Sequence, residues 1–224
     1  VIIAGAIVRM TGSGMGCPDW PKCFGYMIPP TEETELFFKP YHDYNKGEMI
    51  LLNSERFYTA LKDFKSEELI DLNNWNLFEK HDYVTYDPVH TWIEYLNRLI
   101  GALAGIPILF FTLISIYYWK DYKYLTLISL LTVLGMGFQA WLGKTVVDSN
   151  LAPYKITIHM LMALVIVGLI LVLIVQTKKV NKSNNKLFKN LVIFSIILTL
   201  IQVVLGTQVR EFVDEQVKLI GYDK

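Results

Sequence analysis

The chain carries no net charge, has only two cysteines, and almost lacks charged residues over four long stretches. Each shortage excludes something. Lys and Arg (21) balance Asp and Glu (21), so the basic footprint of a nucleic-acid binder is missing. Two cysteines among 224 residues cannot make a disulfide scaffold. A disordered chain would be poor in Leu, Ile, Val and Phe, whereas 53% of this one is apolar and 19% charged.

The apolar residues are concentrated in runs. Trp92–Trp119, Tyr124–Val147, Ile156–Gln176 and Leu187–Val209 each reach the roughly 20 residues that a helix needs to cross a bilayer core. Val1–Val8 is apolar but too short to span, and is read as the end of a further helix cut short. A secretory signal peptide fits less well, because the basic start and the small-residue cleavage site are missing.

Lysine placement sets an orientation. The 178–190 linker holds Lys178, Lys179, Lys182, Lys186 and Lys189 with no acid, which reads as cytoplasmic, and the Lys120–Lys123 turn falls on the same side. The 11–91 segment carries 14 acids against 7 bases and is placed on the opposite, extracytoplasmic face. A loop of that length needs structure of its own. Its aromatics, Phe37, Phe38, Tyr41, Phe57, Tyr58, Phe64, Trp75 and Phe78, point to a small cap rather than a solvated spacer, with an amphipathic helix expected around Leu51–Leu72.

The expected organisation is therefore the end of helix 1 (1–10), an extracytoplasmic loop or cap (11–91), helices 2 to 4 (92–177), a cytoplasmic linker (178–186), helix 5 (187–210) and the start of another extracytoplasmic loop (211–224). The fold class is an all-α integral membrane bundle. Gly5-Ala6-Ile7-Val8-Arg9 recurs as Gly206-Thr207-Gln208-Val209-Arg210, four helices apart and at the same depth. Gln139-Ala140-Trp141-Leu142-Gly143 against Gln202-Val203-Val204-Leu205-Gly206 is a weaker echo. Both suggest parallel repeats, with this chain comprising a four-helix repeat and the first helix of a second, eight in the complete protein.

Polar residues within membrane helices are functional candidates because lipid makes them costly. His90, Glu94, Asn97, Arg98, Gly101 and Gly105 share one sector of helix 2. The glycines alone fit a helix–helix seam, and Glu94 with Arg98 is a favourable i, i+4 pair. A seam does not account for a charged pair and an amide just inside the outer boundary. On helix 4, His159 lies six residues beyond Pro153, roughly 9 Å in by the helical rise, a depth similar to that of Asn97. An imidazole in an apolar bundle suits a haem iron, although a lone membrane histidine often serves only packing. After helix 1, Arg9-Met10-Thr11-Gly12-Ser13-Gly14-Met15-Gly16-Cys17-Pro18-Asp19-Trp20-Pro21-Lys22-Cys23 combines flexible glycines with two cysteines six apart. In an oxidising compartment they suit a small disulfide loop. Zinc, with His42, His81 or His90 as partners, is the competing use.

This run resembles the signature of the heme A synthases, membrane enzymes of cytochrome oxidase cofactor assembly. Glu94-Tyr95-Leu96-Asn97-Arg98-Leu99-Ile100-Gly101 is similar to the family's Glu-x-x-His-Arg segment. Gln139-x-x-x-Gly143 and Pro153-Tyr154-x-x-x-x-His159 are similar to its third and fourth helices. The resemblance implies eight helices in two halves, with this half holding the substrate heme O and the other a heme b whose ligands fall beyond Lys224. The implied reaction oxidises the C8 methyl of heme O to a formyl group, with water as oxygen source. It implies Glu94 as the catalytic residue and His159 as iron ligand. Asn97, Arg98, Gly101 and Arg9 would form the haem environment, and Cys17 with Cys23 a disulfide or redox pair.

One departure is specific. Asn97 stands where the family has an axial histidine. Either His159 binds the iron alone, or His90 supplies the second ligand, or the iron keeps an open position. The implied setting is a bacterial inner membrane or its equivalent. The implied partners are membrane lipid, a heme O synthase, an electron acceptor and a second copy of the chain, with no nucleic acid. Two other classes compete: a haem carrier or oxidase assembly factor without catalysis, insensitive to loss of Glu94, and a quinone-linked thiol oxidoreductase built on Cys17 and Cys23.

Overall fold

Helices dominate the computed structural model, which describes residues 1–52, 56–80, 85–178 and 185–220. They are α1 (Ile2–Met10), α2 (Pro88–Tyr117), α3 (Lys123–Asp148), α4 (Pro153–Thr177) and α5 (Lys186–Ile220). Four segments, Pro88–Tyr117, Lys123–Asp148, Pro153–Thr177 and Lys186–Arg210, are long and apolar enough to cross a membrane. The chain is an all-α integral membrane protein. Two compact units divide it, residues 1–102 and 103–224.

Two helix ends lie elsewhere than the apolar runs suggest. Helix α2 begins at Pro88 rather than Trp92. Pro is suited to a first helical position, and the Asp87 carboxylate before it accepts the His90 N–H at 3.0 Å, an N-cap contact. Helix α5 continues to Ile220, so residues 211–220 are helical and not the start of a loop. Apolarity ends near Arg210, but the following Glu, Gln, Lys and Leu are strong helix formers. Of the linker placed at 178–186, residues 179–184 lie outside the described residues, as do 221–224.

In the unit 103–224, α3 packs along α4 and α4 along α5. Buried hydroxyls join α2 to α3. The Ser115 and Ser129 hydroxyls are 3.0 Å apart, and the Thr126 hydroxyl donates to the Ser115 carbonyl at 2.8 Å. Such contacts substitute for the water that lipid cannot supply. The Thr157 hydroxyl on α4 donates to Thr207 on α5 at 2.7 Å.

The unit 1–102 contains the cap, and here the expected amphipathic helix over Leu51–Leu72 is overturned. The segment forms strands. β2 (Met49–Leu52) pairs with β3 (Arg56–Ala60), which pairs with β5 (Trp75–Leu77), all antiparallel, while β1 (Asp43–Tyr44) pairs with β4 (Phe64–Lys65). The central sheet is covered on both faces. Met49, Leu51 and Phe57 enter one cluster with Cys17, Cys23, Phe24 and Leu36. Ile50, Leu52, Tyr58 and Ala60 enter another with Tyr44 and Trp75. Odd and even positions thus face opposite cores, the period of a strand. With both faces apolar, no polar residue marks that period in the sequence.

The cysteine loop joins the first cluster through a tight hairpin. Cys23 and Tyr26 exchange backbone hydrogen bonds at 2.9 and 3.1 Å, and the two residues between them, Phe24 and Gly25, have φ of 54° and 84°, as a type I′ turn requires. A Cβ on Gly25 would lie 2.2 Å from the Gly47 carbonyl oxygen. Gly25→Ala is therefore expected to destabilise the cap by about 1–3 kcal/mol from backbone strain alone, with more from the clash. Thermal unfolding of the purified protein reads this, and an unchanged Tm would refute the turn geometry.

Candidate functional site

The first turns of α2 present Thr91, Glu94 and Arg98 at spacings of three and four, a single helix face. On that face lies the cysteine loop. The Arg98 guanidinium donates to the carbonyls of Asp19 (2.7 Å), Lys22 (2.9 Å) and Cys17 (3.1 Å), and pairs with Glu94. The other Glu94 oxygen accepts the Cys17 N–H at 2.9 Å. The Thr91 hydroxyl donates to the Gly16 carbonyl at 2.8 Å. Glu94 is 4% exposed. Gly16 packs tightly on the helix: a Cβ there would sit 2.4 Å from the His90 carbonyl oxygen.

Cys17 and Cys23 are joined as a disulfide with Cα atoms 4.7 Å apart, and are 0% and 1% exposed. A disulfide offers no thiolate, so zinc held by these cysteines is overturned. Among the described residues no cluster of three or more His, Cys, Asp or Glu could hold a metal ion; His81, one of the named partners, lies outside them. Burial of both sulfurs also closes the pair to an external thiol or quinone.

Asp19 sits inside the loop it shapes. One carboxylate oxygen accepts the Gly25 N–H at 2.9 Å, and the other is buried without a hydrogen-bond partner. Burial pushes its carboxyl above the ordinary range, against the opposing pull of the Gly25 N–H and Arg98.

Of the other sequence-derived candidates in this unit, Asn97 faces α1, its Oδ1 3.8 Å from where a Cβ on Gly5 would lie. His90 is half-buried, with its backbone engaged in the helix cap. Arg9 is half-buried in the last turn of α1. Gly101 has open space beside it, nothing lying within 4 Å of an added Cβ.

In the unit 103–224, His159 on α4 meets α3. Its Nε2 lies 3.3 Å from the Gln139 amide nitrogen, which donates to the His159 carbonyl at 3.0 Å. A Cβ on Gly143 would come within 3.4 Å of His159 Cε1. His159 Nδ1 and Gln139 Oε1 are both buried without hydrogen-bond partners. An imidazole in an apolar bundle and against a glycine is a donor of the type a haem iron takes, with Nε2 now facing the Gln139 amide group. On α2, Gly105 meets Met136, whose Cε lies 3.8 Å from an added Cβ.

Thus Glu94, Arg98, Cys17 and Cys23 come together in one unit, and His159 has its neighbours in the other. Thr91 and Asp19 escaped the sequence reading as members of the site. Thr91 had a signal, its spacing of three from Glu94; the contacts of Arg98 are to main-chain carbonyls, which no side-chain pattern reveals.

The family model of the COX15-CtaA cytochrome oxidase assembly proteins matches residues 1–70 and 76–216. The chain belongs to this family. It is similar to proteins named Heme A synthase: 26% identical over 178 residues to that of Shewanella oneidensis, covering 80% of this chain and 42% of the relative. It is 25% identical over 216 residues to that of Pelagibacter ubique (92% and 55%), and 27% over 221 residues to that of Ehrlichia canis (93% and 55%). The chain thus spans about half the length of these relatives. No solved structure matches significantly.

Asp19 yields a pH prediction. Its raised folded value means that the folded loop holds the proton more tightly than the unfolded chain. Wild-type stability should fall as pH rises from about 4, the ordinary Asp value, through the folded value. Asp19→Asn keeps an acceptor for Gly25 and removes the charge, so its Tm relative to wild type should climb over that interval. Parallel Tm–pH curves would refute a raised Asp19.

Proposed function

We propose that this chain is the heme O-binding part of a heme A synthase, which oxidises the C8 methyl of heme O to a formyl group for cytochrome oxidase. The observation that carries the reading is the match of nearly the whole chain to the COX15-CtaA family, supported by relatives named Heme A synthase. Two successive two-electron oxidations, with oxygen from water, require an electron acceptor. A heme b held outside this chain would be the group that takes these electrons. The 11–91 loop faces the extracytoplasmic side of a bacterial inner membrane or its equivalent, opposite the lysine-rich 178–190 linker.

His159 holds the substrate iron through its imidazole. Glu94 is the carboxylate that stabilises positive charge building on the oxidised carbon and takes the proton of the attacking water. To act as a base it exchanges one of its two present partners, Arg98 or the Cys17 N–H. All four Nη hydrogens of Arg98 are engaged by Glu94 and the three loop carbonyls, so Arg98 contributes to the haem environment by holding the loop. Arg9, Asn97 and the open space at Gly101 complete that environment, and His90 is the alternative second ligand.

The full engagement of Glu94 favours a second reading, in which the chain carries haem without transforming it and Glu94 only anchors the loop. Haem extraction and chromatography from the full-length protein separate the two: heme O with heme A supports the synthase, heme b alone the carrier. Glu94→Gln should retain heme O and accumulate it, or the partly oxidised alcohol, with little heme A. Heme A at the wild-type rate would remove Glu94 from catalysis, and loss of bound haem together with a lowered Tm would make it an anchor. His159→Ala should strongly weaken heme O retention, whereas His90→Ala should turn the bound haem from low to high spin only if His90 is a ligand.

A further inference from the structure

Helix α2 carries its last charge at Arg98. The stretch from Leu99 to Trp119 holds no charged residue, and by itself supplies the roughly 20 apolar residues that a bilayer's hydrocarbon core requires. Arg98 therefore stands where that core meets the headgroups at the N-terminal end of the helix. The cysteine loop is bound at the same level, because the Arg98 guanidinium donates to the carbonyls of Cys17, Asp19 and Lys22. Trp20 lies between the last two and is 38% exposed. Exposed Pro21 and half-buried Lys22 follow it. A single exposed apolar side chain is ordinary on a protein surface in water. At this depth the medium is not water.

We propose that the cysteine loop sits in the headgroup layer at this end of α2, with Trp20 as its anchor where acyl chains meet headgroups. The partner of this surface is the bilayer itself. Two observations support it independently. The first is the residue chemistry. An indole has a large apolar body and one N–H, and is enriched at this boundary. Lys22, two residues on, has an apolar stem and an ammonium suited to lipid phosphates. The second is the treatment of the backbone. Irregular backbone beside lipid must find its hydrogen bonds within the protein, where water is scarce. The Gly16 carbonyl is bonded by Thr91, the Cys17 N–H by Glu94, three carbonyls by Arg98, and Cys23 by its exchange with Tyr26. Pro18 and Pro21 have no N–H to satisfy. A loop standing in water would gain little from a guanidinium committed to its carbonyls, because water would serve them as well. Lipid at Trp20 and the guanidinium at Arg98 then hold one loop, and together they fix the depth of the disulfide.

Fluorine NMR of the full-length protein, labelled with fluorotryptophan and held in lipid nanodiscs, tests the placement. The Trp20 signal is the one missing from Trp20→Phe, or from Trp20→Tyr if the first variant fails to fold. Three paramagnetic probes then report depth: a lipid labelled near the headgroup end of its chain, a lipid labelled near the tail end, and a water-soluble gadolinium chelate. The signal should broaden most with the first probe and least with the chelate. Strongest broadening by the chelate would put Trp20 in water, and by the tail-end label in the core. No broadening by any probe would mean that protein covers it. Each of these three results would overturn the proposal. Limited proteolysis of the cap in the same nanodiscs tests the anchoring. Trp20→Ala should be cleaved several-fold faster than wild type, and Trp20→Tyr, which keeps an interfacial side chain, at a rate near wild type. Equal rates for Trp20→Ala and wild type, or an equal loss in Trp20→Tyr, would remove Trp20 as an anchor.

Discussion

A buried carboxylate and a half-buried guanidinium, one helical turn apart on α2, are held by each other and by the polar backbone of the cysteine loop. Each ion removed from water carries a desolvation cost that mutual attraction alone offsets poorly. Glu94 and Arg98 recover it by binding outward: Arg98 to the carbonyls of Cys17, Asp19 and Lys22, Glu94 to the Cys17 N–H. The pair and the loop therefore specify each other. Without the loop the pair is an uncompensated charge cluster beside lipid, and without the pair three carbonyls of a disulfide-closed turn lack donors.

The cap follows from this anchor. The loop leaves Arg98, turns at Phe24 and Gly25, and sends the Phe24 ring between Phe57 and Tyr86, with centroids 5.2 and 5.5 Å away. The Phe24 carbonyl accepts the Met49 N–H at 3.0 Å, which carries the constraint into β2. The disulfide, the sheet and the ion pair thus share one core, with Tyr95 of α2 packed against it. The cap is thus tied to the first turns of α2 through the backbone of the cysteine loop.

What the sequence discloses and what it hides divide along physical lines. The four spans are legible because lipid imposes apolarity on every face of a helix, and length alone then identifies them. The disulfide is legible from two cysteines six apart in a glycine-rich turn. The sheet is not, because Met49–Leu52 is apolar on both faces and its period vanishes. Glu94 and Arg98 stand out as membrane charges, yet the partners they were expected to serve, each other and a haem, omit the loop backbone that Arg98 mostly contacts. Gln139 is visible only as one letter of a motif. Its contacts, a main-chain carbonyl and a ring nitrogen on another helix, depend on the packing of α3 against α4.

The distribution of satisfied and unsatisfied polar atoms carries the last step. Within a bilayer no solvent completes a missing hydrogen bond, so a buried atom without a partner marks where the protein alone is incomplete. Around Glu94 both carboxylate oxygens are engaged, and the hydrogen-bonding capacity of Arg98 is directed at the loop. Around His159 a ring nitrogen and an amide oxygen are left over, beside a glycine that adds no bulk. Asp19 Oδ1, in the loop of the first unit, is left over as well, so each unit keeps buried polar atoms that the chain alone does not satisfy. A ligand that takes the His159 Nε2 lone pair must displace the Gln139 amide group that now faces it. A substrate that calls on Glu94 must first compete with the architecture that Glu94 supports. Any new partner of either side chain is thus gained by exchanging a hydrogen bond that the fold already makes.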